Sequence, residues 1–199
     1  RVLTHRVVRL IRYGVPPKHI MMLTFTNKAA KEMASRVNDL LENHSSKESV
    51  VHGTFHSVAN RFLRRYSARI EYRPNFTILD DSDSQELVKA SVSEVVDKTS
   101  KNFPKASVLL SIISLAFNKN CTLSMIQQKE YGERHFQIEA LIAEQYPHLK
   151  SYTEPILAIQ KAYRKKKLRN HAMDFDDLLE NWLTLLSRFG GQLPLAQQI

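Results

Sequence analysis

One cysteine, Cys121, occurs in 199 residues, so no disulfide can form within the chain. That usage fits a reducing, intracellular setting, and a cytoplasmic location is the expectation. Uninterrupted apolar runs of membrane-spanning length are missing too, so no membrane partner is expected. The opening "RVLTHRVVRLIRYG" is basic and interrupted, without the apolar stretch of a secretory leader. The histidines and the lone cysteine nowhere fall at zinc-ligand spacing, so no metal ligand is assigned. No low-complexity tract is found. An initiator Met and a capping residue ahead of Leu3, Val7, Leu10 and Ile11, which fall at helical spacing, are also lacking. At the other end "GGQLPLAQQI" follows a helix stop and starts something it does not finish. The chain therefore reads as a piece of a longer protein.

What the chain does have is positive charge. Lys and Arg number 29 against 20 Asp and Glu, a net charge of +9. Such a balance favours a polyanionic partner, nucleic acid before a membrane surface. Apolar residues at 43% and charged residues at 25% are ordinary for a globular protein with a real core.

It also has a repeated pair. "LTFTNKAAKEM" starts at Leu23 and "GTFHSVANRFL" at Gly53, each placing Thr-Phe where a helix begins. Ile20 to Leu23 predicts a short buried strand after Pro16 and Pro17. Asn27 is a plausible cap for a helix whose apolar face is Ala30, Met33, Val37, Leu40 and Leu41, with Glu32 and Arg36 as a surface pair. "HSSKES" reads as a loop. Val50 and Val51 open a second strand, and Thr54 or Ser57 caps a helix carrying Val58, Phe62 and Tyr66. Strand, helix and strand in so few residues is a βαβ pattern and implies a parallel sheet.

After Arg73 the texture turns helical. Ser82 and Gln85 stand at capping-box spacing ahead of Val88, Val92, Val95 and Val96. "PKASVLLSIISLAFNK" is apolar almost all round, with Pro104 suited to a first turn, and predicts a buried helix. Further helices are expected over Ser124 to Glu130, Glu133 to Tyr146 and Thr153 to Leu168. Asp174 caps a last helix through Leu178, Leu179, Trp182 and Leu186, stopping at Gly190 and Gly191. The acids Asp174, Asp176, Asp177 and Glu180, and likewise Asp80, Asp81 and Asp83, are accounted for by capping and the helix dipole. Lys165, Lys166 and Lys167 end a helix as solvated cations or as phosphate contacts. Cys121 has no evident base partner and reads as a buried thiol.

In a parallel sheet both strands deliver the following helix N-termini to one edge, where ligands of open α/β sheets bind. Helix N-termini suit phosphates. Thr26, Asn27, Thr54, His56 and Ser57 add hydrogen-bonding groups there, and Phe25 and Phe55 offer faces on which bases can stack. Arg61, Arg64 and Arg65 make a basic stripe on the second helix. The same residues also fit a plainer account, in which the Phe rings are core, the Thr, Asn and Ser residues are ordinary caps, and the arginines are a solvated face.

"IMMLTFTNKAAKEMASRV" resembles motif Ia of UvrD/Rep/PcrA-type superfamily 1 DNA helicases, and "VVHGTFHSVANRFLRR" resembles the next block of that family. "NFTILDDSDSQELVK" and "NHAMDFDDLLENWL" match two further segments in the same order. The opening "RVLTHR" resembles the helix that follows the family's phosphate-binding loop. The resemblance implies an α/β fold: a partial RecA-like, P-loop NTPase-type parallel-sheet domain with an inserted all-helical subdomain, helix-rich overall. It puts the first part of domain 1A at residues 1–72, helical subdomain 1B at 73–171 and the return to 1A at 172–199. It implies ATP-driven 3′→5′ movement on DNA, with ATP and Mg²⁺ as cofactors of the parent enzyme and a role in repair or replication. The implied partners are single-stranded DNA, single-strand/duplex junctions and the rest of the helicase polypeptide. Carried over by position, Phe25, Thr26, Asn27, Lys28, Thr54, Phe55, His56 and Arg64 are DNA-binding, and Arg1 stands at the edge of the ATP site. No catalytic residue is implied within these residues: no G-x-x-x-x-G-K-[ST] occurs, nor does an apolar run ending in Asp-Glu. A catalytically inactive DNA-binding or scaffold module, and the helicase subunit of a recombination nuclease, are the alternatives.

Overall fold

The computed structural model describes residues 2–41, 49–96, 103–119 and 133–189. They fall into two compact units, Arg1–Ile70 with Asn181–Ile199, and Glu71–Glu180.

The first unit opens with helix α1 (Val2–Arg12) and continues through strand β1 (Met21–Thr24), α2 (Asn27–Leu40), β2 (Val51–Thr54) and α3 (Phe55–Tyr66). β1 and β2 pair in parallel, with Met22 beside His52 and Thr24 beside Thr54. Val7, Val8 and Ile11 of α1 meet Ile20, Met22, Val37 and Val50 in one cluster. The buried stripe of α1 is Thr4, Val7, Val8 and Ile11, whereas Leu3 is exposed. Turning Leu3 outward corrects the sequence expectation: one helical face is narrow, and Thr4 occupies the place Leu3 was given. Glu32 and Arg36 pair at 3.8 Å on the exposed side of α2. Val58, Ala59 and Leu63 of α3 are fully buried, and Phe62 meets Trp182 edge-on at 5.8 Å.

In the second unit, β3 (Thr77–Ile78) pairs in parallel with β4 (Ala172–Met173), and α4 (Asp81–Val95), α5 (Ala106–Lys119), α6 (Glu133–Gln145) and α7 (Thr153–Arg169) form a helical layer. A last helix, α8 (Phe175–Phe189), begins here and contributes its later turns to the first unit. The core unites Val88 of α4, Leu109, Ile112 and Ala116 of α5, Ile138, Leu141 and Ile142 of α6, and Ile156, Ile159 and Tyr163 of α7. Truncating one of these, as in Leu109→Ala, costs about 2–5 kcal/mol in a packed core. α5 buries one face only, since Val108 on its other side is exposed. Val95 is exposed as well, although its spacing placed it on the inner face.

Two caps differ from those read off the sequence. Asp80 caps α4, its carboxylate accepting from the Asp83 N–H at 2.8 Å, so Ser82 lies inside the first turn. Asp80 alone has extended backbone next to three free N–H groups, which a residue two positions on cannot have. Thr26 caps α2, accepting from the Ala29 N–H at 3.2 Å, and Asn27 is the first helical residue. The loop expected over 44–49 (apart from Ser49), the helix at Ser124 to Glu130, Cys121, the stop at Gly190 and Gly191, and Arg1 all lie outside the described residues.

The start of α8 holds a charge cluster. Asp174 caps the helix by accepting from the Asp177 N–H at 2.9 Å, and Asp177 accepts from the Asp174 N–H at 3.1 Å. The Lys167 ammonium, only 8% exposed, stands 2.5 Å from Asp174 and 2.6 Å from Asp177. Tyr163 donates its hydroxyl to Asp174 at 2.8 Å, and Lys167 lies over the Tyr163 ring. Lys167 is thus neither a solvated end nor a phosphate contact, and Lys166 is bound to Glu94 at 2.6 Å. Burial raises the Asp174 carboxyl, but the Lys167 ammonium and the bonds from Lys167, Asp177 and Tyr163 outweigh it and hold the group below its ordinary range. Burial keeps Asp177 above its ordinary value, with Lys167 offsetting only part of that. Burial, and then the Asp174 charge, raise the Tyr163 phenol.

Lys167→Met should therefore destabilise the chain by about 3–5 kcal/mol in urea unfolding, because two buried carboxylates lose their cation. Adding Asp177→Asn should recover part of the loss, and a loss below about 1 kcal/mol would contradict the pairing. In Asp177→Asn alone, Asp174 is the one carboxylate left to Lys167 in this cluster. Its folded pKa lies below the unfolded value of about 3.9, so its contribution is complete above that pH and disappears as pH falls through the folded value. Urea midpoints measured from pH 6 downward test this.

Candidate nucleic-acid interface

β1 and β2 end level, Thr24 opposite Thr54, so the residues that follow them share one edge. Thr26 caps α2 and Thr54 caps α3, each hydroxyl accepting the N–H three residues on, at 3.2 and 3.1 Å. The Ser57 hydroxyl returns a bond to the Thr54 carbonyl at 3.0 Å. Thr54, rather than Ser57, is therefore the cap, and Ser57 closes the turn from inside.

Gly53 sits below this turn with φ +157°. A Cβ there would stand 2.6 Å from Ser57 Oγ and 3.1 Å from Val58 Cγ2. Only glycine lets strand and helix approach so closely. The turn then sets Phe55, half buried, with its ring centroid 5.5 Å from that of Phe25 and tilted 39°.

Phe25 is 89% exposed. A ring in water adds nothing to the core, which separates it from the buried rings of Phe62 and Phe76. Thr26, Asn27 and Lys28 beside it are exposed, and Thr54 and His56 are half buried. Phe25, Thr26, Asn27, Lys28, Thr54, Phe55 and His56 thus belong to one sheet edge. Arg64 lies two turns along α3, partly buried.

The three arginines of α3 are not one uniform stripe. Arg61 donates to the His52 carbonyl at 2.7 Å, and Arg65 lies over the Tyr66 ring at 5.8 Å. The sequence showed their common face but not their partners, since a side chain reaching a strand carbonyl nine residues back leaves no periodic signal. Among the described residues no group of three or more His, Cys, Asp or Glu side chains can hold a metal ion, and no helix is long and apolar enough to cross a membrane.

The family model of the UvrD/REP helicase N-terminal domain matches residues 1–199. The chain belongs to this family. Among its relatives are proteins named ATP-dependent DNA helicase PcrA. That of Staphylococcus epidermidis is 35% identical over 199 residues, 99% of this chain and 24% of the relative. That of Leuconostoc citreum is 34% identical over 199 residues, 100% of this chain and 24% of the relative. That of Staphylococcus aureus is 33% identical over 190 residues, 94% of this chain and 23% of the relative. The chain spans about a quarter of the length of the curated relatives it matches. In this UvrD/REP domain the Thr-Phe pairs stand at the ends of two adjacent parallel strands, and the helix-rich chain shows two small parallel sheets among the described residues, compatible with an α/β fold.

Phe25→Ala should leave the urea midpoint within the roughly 0.5 kcal/mol span of surface changes, whereas Thr54→Ala should cost about 1 kcal/mol as a lost cap. Gly53→Ala should cost more than either, through positive φ and the clash with Ser57. An equally damaging Phe25→Ala would put that ring back in the core.

Proposed function

We propose that this chain supplies part of the single-strand track of an ATP-dependent DNA helicase, with the two Thr-Phe turns holding the strand at one sheet edge. The observation that carries this reading is Phe25, an exposed ring backed by Phe55 between two helix N-termini. A ring face takes any base, and helix-start N–H groups with neutral hydroxyls donate to phosphate oxygens, so the edge suits sequence-independent binding. The excess of Lys and Arg favours the same polyanion, and the relatives are named as DNA helicases that depend on ATP.

In this reading Phe25 and Phe55 are the stacking pair. Thr26, Asn27, Thr54 and His56 bond the sugar-phosphate backbone, and Lys28 and Arg64 add charge. Residues 1–72 and 172–199 form part of a RecA-like domain, and 73–171 an inserted helical subdomain. The whole protein moves 3′→5′, binds ATP with Mg²⁺ beside Arg1, and opens single-strand/duplex junctions.

The test is made in the full-length protein. Phe25→Ala should weaken single-stranded DNA binding by about 1–3 kcal/mol with little dependence on base sequence. The slope of log affinity against log salt should stay the same, because that slope counts phosphate contacts. Arg64→Ala should do the reverse, with a smaller loss and a slope shallower by about 0.7. Unchanged affinity in Phe25→Ala would sink the reading. The isolated chain should not hydrolyse ATP, since the phosphate-cradling motif is not among its 199 residues. DNA-stimulated hydrolysis co-eluting with it would overturn that placement.

A further inference from the structure

The geometry points to Arg61 as a positioning residue of the single-strand site: it locks the turn that carries Phe55 and does not itself bind phosphate. The inference rests on the reading of the Thr-Phe edge as a DNA site.

Arg61 shares a helical face with Arg64 and Arg65, and by charge alone the three would be read as equivalent. Its guanidinium, however, is turned back to the strand and donates to the His52 carbonyl at 2.7 Å. The same nitrogen lies 3.5 Å from where a Cβ on Gly53 would be. So the guanidinium, together with Ser57 Oγ and Val58 Cγ2, lines the space beside Gly53 that a Cβ would enter. A charged donor on a carbonyl is stronger than a neutral one, and this bond spans from the second turn of α3 to β2. It therefore fixes the angle at which α3 leaves the strand. That angle sets where Phe55, the first residue of α3, stands against Phe25. An exposed ring has few contacts to hold it, so Phe55 is the support on which its orientation depends. Losing Arg61 should leave both rings in place chemically but loosen their alignment.

A phosphate contact and a positioning role predict different signatures. In the full-length protein, Arg61→Met keeps the aliphatic stem and removes the donor, and Arg61→Lys keeps the charge without the fork. Three quantities are read: affinity for single-stranded DNA across a salt series, quenching of 2-aminopurine in the bound strand, and hydrogen exchange at the Ser57 amide. Positioning predicts that Arg61→Met lowers affinity about 5- to 30-fold, a part of one base stack, with the salt slope unchanged. Quenching weakens and the Ser57 amide exchanges faster. Arg61→Lys regains affinity only as far as it regains amide protection. Ser57→Ala, which loosens the same turn without touching a charge, shows the same pattern at smaller size and serves if the Arg61 variants fail to fold. A slope shallower by about 0.7 with protection unchanged, restored by Arg61→Lys, would make Arg61 a phosphate contact and overturn the inference. Unchanged affinity in Arg61→Met would overturn it as well. Phe25→Ala, run beside them, separates the two levels. If it leaves affinity unchanged the DNA site itself is misplaced, whereas if it weakens binding and Arg61→Met does not, only the positioning role fails.

Discussion

The parallel register of Met21–Thr24 against Val51–Thr54 governs the rest of the candidate interface. Because Thr24 lies opposite Thr54, both chains leave the sheet at the same level and the two phenylalanines come out near each other. A slip of one residue would turn every side chain of one strand to the other face. Met22 would then leave the cluster it forms with Val7, Val37 and Val50, so burial on the inner side holds the register that the edge needs. The tight passage at Gly53 is the local counterpart: strand and helix can meet there only without a Cβ.

Much of this was legible in the sequence. Both strands and their following helices follow from short apolar runs succeeded by 3.6-residue periodicity. The repeated Thr-Phe pair marked the edge, since a parallel arrangement brings strand ends together. What the sequence left open was whether Phe25 is core or surface, because a Phe at a strand end looks the same in both cases; only its 89% exposure decides. Asn27 and Ser82 were attractive caps by composition, but a cap is defined by backbone angles, and those fall on Thr26 and Asp80. Lys167 was least legible. In "YRKKKLRNH" it looks like its neighbours, yet helix phase turns it inward to two carboxylates that are separate in sequence.

The cations illustrate the same point at larger scale. A net charge of +9 suggests abundant phosphate binders. Lys166 and Lys167 are spent on carboxylates, Arg12 donates to the Leu40 carbonyl, Arg61 to that of His52, and Arg9 and Arg65 lie over tyrosines. At the Thr-Phe edge the chemistry is instead mainly aromatic faces, hydroxyls and helix-start amides. Stacking on such ring faces is not screened by salt, unlike the attraction between exposed charges.

The most direct test of the central claim is photocrosslinking of the full-length protein to single-stranded DNA carrying 5-iodouracil at successive positions, read by peptide mass spectrometry. The reagent joins to rings that stack on it. The account predicts crosslinks at Phe25, with Phe55 as the second site. Crosslinks confined to other aromatic residues, with neither of these modified at any DNA position, would contradict it.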